Sequence, residues 1–367
     1  MNLLSRYLIR RLAVMAFYTL LALLALYSFF DIISEIGDVG EGSYSGLKMM
    51  QYVAMQMPAH AYELMPLAVL IGGLVALSQL ASGSELTVMK TSGMSTKKLI
   101  ATLLQYGFLF AVATAVLGEW VAPSLSQRAE NLKAGAVSGK ISTGSQGLWL
   151  KEGSNIINVR EMLPDHSLLG IKVWRHNEAL QLVEASEAES AVIDGQNNWL
   201  LNNVRSSLFI GEQQGRRGQM DVSAVHTEFH PQKQWDIGLQ RNLLDVLLVD
   251  PEQMSVSALT TYINHLKDNQ QQTRLYEIAW WRKLMYPVAA MIMALVALAF
   301  TPQSTRHGNM GLKLFFGICL GLAFHFASRL FGFTSQLYGV PPFIAAVLPT
   351  LLFGLLGVYL IRRQEKR

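Results

Sequence analysis

Residues 84–95 read Ser84-Glu85-Leu86-Thr87-Val88-Met89-Lys90-Thr91-Ser92-Gly93-Met94-Ser95, a short polar stretch between two long apolar runs. Ser84 is placed to cap a helix, Glu85 to meet the positive end of its dipole, and Gly93 to end it in a left-handed turn. Leu86 and Met89 share one side of that helix, which suits a segment half sunk in lipid headgroups or in a partner's groove. Two interpretations stay open: a surface helix that receives force from another protein, and an ordinary connector.

The composition indicates a membrane protein. The chain has 367 residues, of which 51% are hydrophobic and 15% charged, with a mean hydropathy of +0.27. A soluble enzyme of this length is less apolar. The net charge of +4 does not indicate a nucleic-acid partner, because the basic residues lie beside apolar runs and form no stripe. The single cysteine, Cys319, excludes an intrachain disulfide and a cysteine metal site.

Six runs are long enough to cross a bilayer, near residues 12–30, 64–81, 99–118, 284–300, 312–332 and 343–360. The first is expected to be retained as an anchor, because it is long for a signal peptide and lacks a small-x-small cleavage site. Trp120 is predicted to mark a membrane interface and Pro123 a helix end. The Gly72-Gly73 pair in the second run predicts a close approach of another helix.

Between the third and fourth runs the chain becomes polar, with short alternating segments and turn residues. Strands are predicted at 156–160, 168–174, 180–185, 199–209, 220–229 and 235–239, with turns near 164–165, 194–197 and 215–218. A helix is predicted from about residue 250 to 269. The predicted organisation is three membrane helices in 1–123 with a surface helix near 84–94, an all-β domain with a connecting helix in 124–272, and three membrane helices in 273–367.

Basic residues in short loops predict the orientation. With six spans, Arg6, Arg10 and Arg11, residues 90–98, residues 306–313 and the basic C-terminal tail all fall on one side of the membrane. The acidic stretch after the first span and the β segment fall on the other. Both termini are therefore predicted to be cytoplasmic and the β domain external.

Cations near the outer ends of the spans form the candidate ligand site. Arg329 interrupts the fifth run with His325 one turn earlier, Arg282 and Lys283 begin the fourth, and Lys133 lies beyond the third. Four such cations at one depth run against the usual topology bias and favour an anionic amphiphile as ligand. The alternative is that they snorkel to the headgroups.

No catalytic site, cofactor or metal is predicted. The sequence has no His-Glu-x-x-His, Gly-x-Ser-x-Gly or cysteine cluster, and its eight histidines are scattered. Two classes compete with a membrane protein that binds and moves an anionic amphiphile. A non-transporting membrane scaffold that relays ATPase motion to an external domain would share the topology without needing cations along a lipid cavity. A lipid-modifying enzyme is disfavoured, since no acid-base or nucleophile set converges.

Several motifs carry a resemblance to a known family. They are Gly42-Ser43-Tyr44, Ser84-Glu85-Leu86-x-x-Met89-x-x-Ser92-Gly93, Gly118-Glu119-Trp120-Val121-Ala122-Pro123, Gln146-Gly147-Leu148-Trp149-x-Lys151-Glu152-Gly153 and Tyr338-Gly339-x-Pro341-Pro342. Over essentially its whole length the chain resembles the permease subunits of the lipopolysaccharide export ABC transporter, the LptF/LptG family, and its LptG branch more than its LptF branch. The resemblance implies six spans, a periplasmic β-jellyroll after the third and a cytoplasmic coupling helix after the second.

The resemblance also implies a function and partners. Such a subunit extracts lipopolysaccharide from the outer leaflet of the bacterial inner membrane and passes it to a periplasmic bridge towards the outer membrane. The implied partners are a homologous LptF-like permease, a cytoplasmic LptB-like ATPase dimer that hydrolyses the ATP, and periplasmic jellyroll proteins, LptC-like and then LptA-like. The first and fifth spans are expected to gate the lipid cavity.

The resulting site prediction has two parts. The ATPase-coupling residues are Ser84, Glu85, Leu86, Met89 and Gly93, and the lipid-binding residues are Lys133, Arg282, Lys283, His325 and Arg329. The resemblance supplies the roles of Glu85 and Lys133. One departure from the family is that enteric relatives carry lysines after the first span, where this chain has Asp31, Glu35 and Asp38. Arg282, Lys283 and Arg329 are expected to compensate.

Overall fold

The computed structural model describes residues 3–137, 148–162, 167–177, 179–193, 199–213, 220–235, 250–300 and 310–365. In these residues a bundle of long helices carries one antiparallel sheet, inserted between the third and fourth spans. The three predicted turns, residues 146–147 of the fourth motif, and the basic residues at 306, 307, 366 and 367 lie outside the described ranges.

The spans are confirmed: among the described residues, six helices are long and apolar enough to cross a membrane. The helices in chain order are α1 (Leu3–Glu35), α2 (Gly46–Ser82), α3 (Glu85–Thr91), α4 (Thr96–Val116), α5 (Ala122–Val137), α6 (Val256–Asp268), α7 (Arg274–Ala299), α8 (Met310–Tyr338) and α9 (Pro342–Glu365).

The spanning helices extend beyond the apolar runs that predicted them. α2 begins at Gly46 rather than near residue 64, because its polar residues find partners on other helices. Gln56 accepts a 3.0 Å hydrogen bond from Ser126, and His60 lies 2.7 Å from Asp31. A polar group that is paired inside the bundle does not interrupt a helix.

The prediction that Pro123 ends a helix is wrong. α4 passes into a π-helical turn, Leu117–Val121, which leads directly into α5. Pro123 is the second residue of α5 and directly follows the π turn, where the hydrogen-bond pattern of the helix changes, so the proline does not end the rod. One helical rod, residues 96–137, therefore leads from the bundle towards the sheet, and Glu119 lies in its π turn.

The inserted all-β domain is confirmed. Its described strands are β1 (Leu148–Glu152), β2 (Asn155–Met162), β3 (Leu168–His176), β4 (Leu182–Ile193), β5 (Trp199–Gln213) and β6 (Met220–Trp235), paired antiparallel in chain order. β1 was not predicted, and β6 continues from the segment predicted at 220–229 to Trp235. Residues 236–239 of the last predicted strand lie outside the described residues. Pro231 lies within β6, which pairs only with β5 among the described strands, and proline is tolerated at such an edge.

The sheet and the bundle have separate apolar cores. In the sheet, the buried face includes Trp199, Ile157 and Ile171, and it is joined by Tyr262 and Leu266 of α6. The helix predicted at 250–269 is thus confirmed as α6, which begins later because Ser255 caps it. α6 packs its apolar side against the sheet.

In the bundle, α2 packs closely against α1. A Cβ on Gly72 would overlap the backbone of Ala16, so the predicted close approach at this glycine pair is confirmed. The faces of α1 and α8 that are not packed in the bundle expose large apolar side chains, such as Phe29 and Phe326. Such faces suit contact with lipid or with another membrane helix.

Candidate functional site

α3 lies at the end of the bundle that carries the start of α1, which we call the terminal end. The hydroxyl of Tyr7 donates a 2.9 Å hydrogen bond to Glu85, and Arg11 donates to the same hydroxyl at 3.2 Å. Leu86 and Met89 are only 6% and 5% exposed, within the bundle core. The expectation that they lie in lipid headgroups or in a partner's groove is wrong, because this chain's own helices cover them.

The turns around α3 differ in part from the prediction. Ser84 does not cap the helix with its side chain, because its backbone is left-handed, with a φ of 61°. Gly93 does end the helix in a left-handed turn, with a φ of 91°, and Ser95 caps α4 through the N–H of Lys98. α3 is therefore a short, well-ended helix joined to α4 by one tight turn.

The opposite side of α3 is open. Its exposed residues are Thr87, Val88, Lys90 and Thr91. Val88 is the most apolar of them, and it is 60% exposed. We call these four residues the α3 outer face. A small surface with an apolar centre and a basic residue is suited to contact with another protein.

Lys133 lies at the other end of the bundle, which we call the sheet end. Its ammonium pairs with Glu35 at 2.8 Å and with Asp38 at 2.9 Å. Glu35 also accepts a 3.0 Å hydrogen bond from Tyr44, and burial together with this bond raises the pKa of Tyr44 to about 12. Of the acidic residues after the first span, Glu35 and Asp38 thus have Lys133 as their partner, whereas Asp31 lies beside His60.

Arg282 and Lys283 face the segment before α6. Arg282 forms an ion pair with Glu252 and donates a 3.2 Å hydrogen bond to the backbone oxygen of Ser328. Lys283 is 7% exposed and donates to the backbone oxygen of Met254. Both cations are therefore occupied by this chain.

Arg329 is the most open of the predicted lipid-binding cations. Its side chain is 50% exposed, and its contact with Glu63 is 3.6 Å long. His325 lies one turn earlier on α8 and is partly buried. The five predicted residues thus do not form one cluster: Lys133 lies at the end of α1, and Lys283 lies beside the start of α6. Arg282 pairs with Glu252 before α6 but also reaches Ser328 on α8, the helix that carries His325 and Arg329.

Glu119 projects from the π turn to the start of α6. Its carboxylate accepts hydrogen bonds from the backbone N–H of Val256 at 2.8 Å and of Ser257 at 3.3 Å, and from the Ser257 hydroxyl at 3.1 Å. Ser255 accepts from the next N–H, that of Ala258, at 3.1 Å. The first N–H groups of α6 are thus satisfied, partly from another helix.

A cavity of about 150 Å³ lies on the buried face of the sheet, which we call its inner face. Its apolar walls include Val173, Ala188, Leu201, Val204 and Trp235, and its polar lining includes Arg175, Glu184 and Lys233. The carboxylate of Glu184 pairs with Arg175 at 2.5 Å and with Lys233 at 3.2 Å. The cavity therefore combines apolar walls with a paired cluster of two cations and one carboxylate.

The charge of Glu184 is stabilised where it lies. Burial acts to raise the pKa of its carboxyl, but the hydrogen bonds from Ser186 and Lys233 and the charges of Lys233 and Arg175 outweigh burial, so the pKa is lowered. Glu184 is thus ionised at neutral pH.

The described residues contain no group of three or more His, Cys, Asp or Glu side chains arranged to hold a metal ion. They contain a bundle of helices long enough to cross a membrane. The α3 outer face is open at the terminal end of this bundle, and the sheet at its other end has a cavity with apolar walls. These features define an integral membrane protein with an inserted β domain.

The comparison with known proteins gives the family. The model of the family "Lipopolysaccharide export system permease LptF/LptG" matches residues 6–363, and the chain belongs to this family. It is 30% identical over 364 residues to the lipopolysaccharide export system permease protein LptG of Escherichia coli K12. This alignment covers 99% of this chain and 98% of the relative. It is 29% identical over 366 residues to the LptG protein of Haemophilus influenzae, with 99% of each chain covered. The family predicted from the motifs is confirmed.

Sequence reasoning missed several residues that the structure brings into these sites. Tyr7 meets Glu85, Glu63 meets Arg329, Glu252 meets Arg282, and Met254 meets Lys283. Their partners lie far along the chain, so spacing carried no signal. Glu184 could have been found, because it alternates with Ser186 and Ala188 on the buried side of a strand.

Proposed function

We propose that the chain is the permease subunit that takes lipopolysaccharide out of the bacterial inner membrane and passes it to a periplasmic bridge. The observation that carries this proposal is the family match over residues 6–363, together with relatives aligned over almost their whole length. Because the match runs through both the bundle and the sheet, the proposal applies to the whole chain.

In the proposed orientation the terminal end is cytoplasmic and the sheet end periplasmic. Arg10, Lys97, Lys98, Arg362 and Arg363 all lie at or near the terminal end. This distribution supports the orientation, since basic residues concentrate on the cytoplasmic side of bacterial membrane proteins.

The energy for transport is proposed to come from a separate cytoplasmic ATPase dimer of the LptB type. We propose that it binds the α3 outer face, because this face is open while Leu86 and Met89 are covered by the chain itself. Ser84, Leu86, Met89 and Gly93 then act by shaping and seating α3, and Glu85 by fixing it to α1 through Tyr7.

The lipid is proposed to enter between this chain and an LptF-like permease. The exposed apolar faces of α1 and α8, with Phe29 at 57% and Phe326 at 68% exposure, support a role for these two helices as walls of the shared space. The closing of that space would press the lipid towards the sheet.

The cavity of the sheet is proposed to receive acyl chains. Its volume of about 150 Å³ equals that of an engineered apolar cavity that holds benzene, so it has room for the end of an acyl chain. Edge-to-edge pairing of the sheet with LptC-like and then LptA-like jellyroll proteins would continue this surface.

Among the predicted head-group residues, we propose Arg329 as the principal contact with lipid phosphate, with His325 beside it. Arg329 is half exposed, and its ion pair with Glu63 is long enough to be exchanged for a phosphate. Lys133 is proposed as a secondary contact that must first release Glu35 and Asp38. Arg282 and Lys283 already have partners at the start of α6.

Co-purification tests the proposed function. The chain, expressed with the other export subunits of its own bacterium, is purified through a tag on this chain, and bound proteins and lipids are identified by mass spectrometry. We expect a cytoplasmic ATPase together with unmodified lipopolysaccharide. An ATPase without glycolipid would favour the scaffold, and a chemically altered glycolipid would favour the enzyme.

A further inference from the structure

Glu119, Arg282 and Lys283 all hold the segment that begins α6. Glu119 accepts from Val256 and Ser257, Arg282 pairs with Glu252, and Lys283 donates to Met254. We call these three side chains the α6 anchor. They come from two different membrane rods, the α4–α5 rod and α7, and they converge on six consecutive residues, 252–257.

The anchor is built into the bundle. A Cβ on Gly118, beside Glu119, would lie 2.6 Å from the ring of Tyr62, so this glycine lets α2 pack directly against the π turn. Tyr62 stacks on Tyr286 of α7 with ring centroids 5.0 Å apart, and Lys283 lies 5.5 Å above the Tyr62 ring. The rod, α2 and α7 therefore meet at the base of α6.

α6 is in turn joined to the sheet. Tyr262 and Leu266 are 6% and 5% exposed within the sheet core, while Leu259 packs with Ala279 of α7. Trp280 of α7 donates a 2.9 Å hydrogen bond to Thr260. One side of α6 is thus part of the sheet, and the other side is part of the membrane bundle.

The far end of α6 has direct polar contacts with the sheet. Asn269 accepts a 2.8 Å hydrogen bond from the N–H of Gly153, and Gln271 donates a 3.1 Å bond to the backbone oxygen of Lys151. These bonds fix the turn between β1 and β2 to the end of α6. A rotation of α6 would therefore carry the sheet with it.

We propose that α6 is a rigid strut that transmits movement of the membrane helices to the sheet, and that Glu119, Arg282 and Lys283 are positioning residues for lipid transfer. This inference rests on the proposed function. It assigns Arg282 and Lys283 to α6 instead of to lipid, because Lys283 is buried and both side chains already have partners in this chain.

The π turn explains how Glu119 reaches α6. A π turn inserts one extra residue into a helix and redirects the side chains around it, and such turns are frequent at functional positions. A carboxylate at a helix N-terminus is favoured by the free N–H groups and by the helix dipole. The carboxylate of Glu119, on the α4–α5 rod, therefore lies at the N-terminus of α6, where a negative charge is favoured.

Glu119→Ala and Lys283→Ala, singly and together, test the strut in the full chain with its partner subunits. Ser124→Ala is the matched control, because Ser124 lies on the same rod and its hydroxyl bonds only to that rod's own backbone among the described contacts. The measured quantity is lipopolysaccharide transferred per ATP hydrolysed in proteoliposomes. We expect this ratio to fall at least ten-fold in the double variant and to stay at the wild-type value in the control.

A distance measurement separates coupling from folding. In a Cys319→Ser background, spin labels are placed at Leu180, in the connection between β3 and β4, and at Leu337 on α8, which are 81% and 80% exposed. We expect one narrow distance distribution in the wild type and in Ser124→Ala, and a distribution at least twice as wide in Glu119→Ala. Hydrogen exchange at Val256 and Ser257 should rise at least ten-fold in the same variant.

The outcomes distinguish the two proposals. If the wild type transfers no lipopolysaccharide, the proposed function fails, while the distance and exchange measurements still decide whether the anchor holds the sheet. If the wild type transfers lipid and the double variant has the same ratio and the same narrow distribution, the strut is overturned. The single Glu119→Ala variant serves if Lys283→Ala does not fold.

Discussion

The hydroxyl of Tyr7 donates a 2.9 Å hydrogen bond to the carboxylate of Glu85, so α1 holds the first residue of α3. Arg11 completes this contact by donating to Tyr7 at 3.2 Å. Glu85 was predicted from the sequence as an ATPase-coupling residue, and its carboxylate already has a partner within this chain. A displacement of α3 therefore acts first on α1.

Tyr7→Phe removes this hydrogen bond and keeps the ring. We predict that lipopolysaccharide transferred per ATP falls roughly two- to five-fold, because a hydrogen bond to a charged group is lost in a partly exposed place. Glu85→Lys, which also places a second cation near Arg11, should abolish transfer while the protein remains inserted and folded. Wild-type transfer by Tyr7→Phe with an inactive Glu85→Lys would show that Glu85 acts on the partner directly.

Val88 and Met89 are neighbours with opposite surroundings, 60% and 5% exposed. We predict that Val88→Asp leaves the melting temperature in detergent unchanged and prevents co-purification of the ATPase. Met89→Ala should instead destabilise the chain by about 2–5 kcal/mol, the usual cost of truncating a buried methionine. Normal ATPase binding by Val88→Asp would exclude the α3 outer face as the docking surface.

The spans and the inserted sheet could be predicted because apolar runs and alternation are local patterns. Helix ends could not, because His60 and Gln56 remain helical only through Asp31 and Ser126 on other helices. The pattern at Pro123 was misread since a π turn leaves no mark in the sequence.

The candidate sites were predicted less well than the fold. Sequence position placed Lys133, Arg282 and Lys283 near the outer membrane surface, but it could not show that Glu35, Glu252 and the backbone at Met254 meet them. The contact of Glu119 with Val256 joins residues far apart in the chain, and only the fold brings them together.

Arg329 and Glu63 allow a test with opposite outcomes. Arg329→Ala should lower the lipopolysaccharide retained on purification, because a phosphate loses its guanidinium partner. Glu63→Gln should raise it, because the carboxylate that competes for Arg329 at 3.6 Å is removed. The measurement is phosphate-normalised mass spectrometry of bound lipid. Equal losses of thermal stability and unchanged lipid in both variants would make the pair purely structural.

The stability of the sheet is expected to depend on pH through the carboxylate of Glu184. Its pKa is lowered from 4.5 in the folded chain, so its contribution is fully present above that value. It is lost as the pH falls from about 4.5 through the folded pKa. Thermal unfolding of the full chain in detergent, followed by tryptophan fluorescence, should show this loss as the pH is lowered below about 4.5.

Glu184→Gln is the control for that measurement. The variant should be less stable at neutral pH, because Arg175 and Lys233 lose their partner, and it should lack the acid-dependent part of the curve. Identical pH dependence in the variant and the wild type would assign the acid sensitivity to other carboxyl groups.

The central claim is that lipopolysaccharide moves from the bundle to the inner face of the sheet. The most direct measurement places a photo-crosslinking residue at Leu201, which lines the cavity, or at Glu187, on an exposed position of the neighbouring strand β4. In proteoliposomes with the partner subunits, we predict a lipopolysaccharide adduct at position 201 that appears only when ATP is hydrolysed, and none at position 187. Equal adducts at both positions, or none at position 201 while ATP is consumed and lipid is exported, would contradict the account.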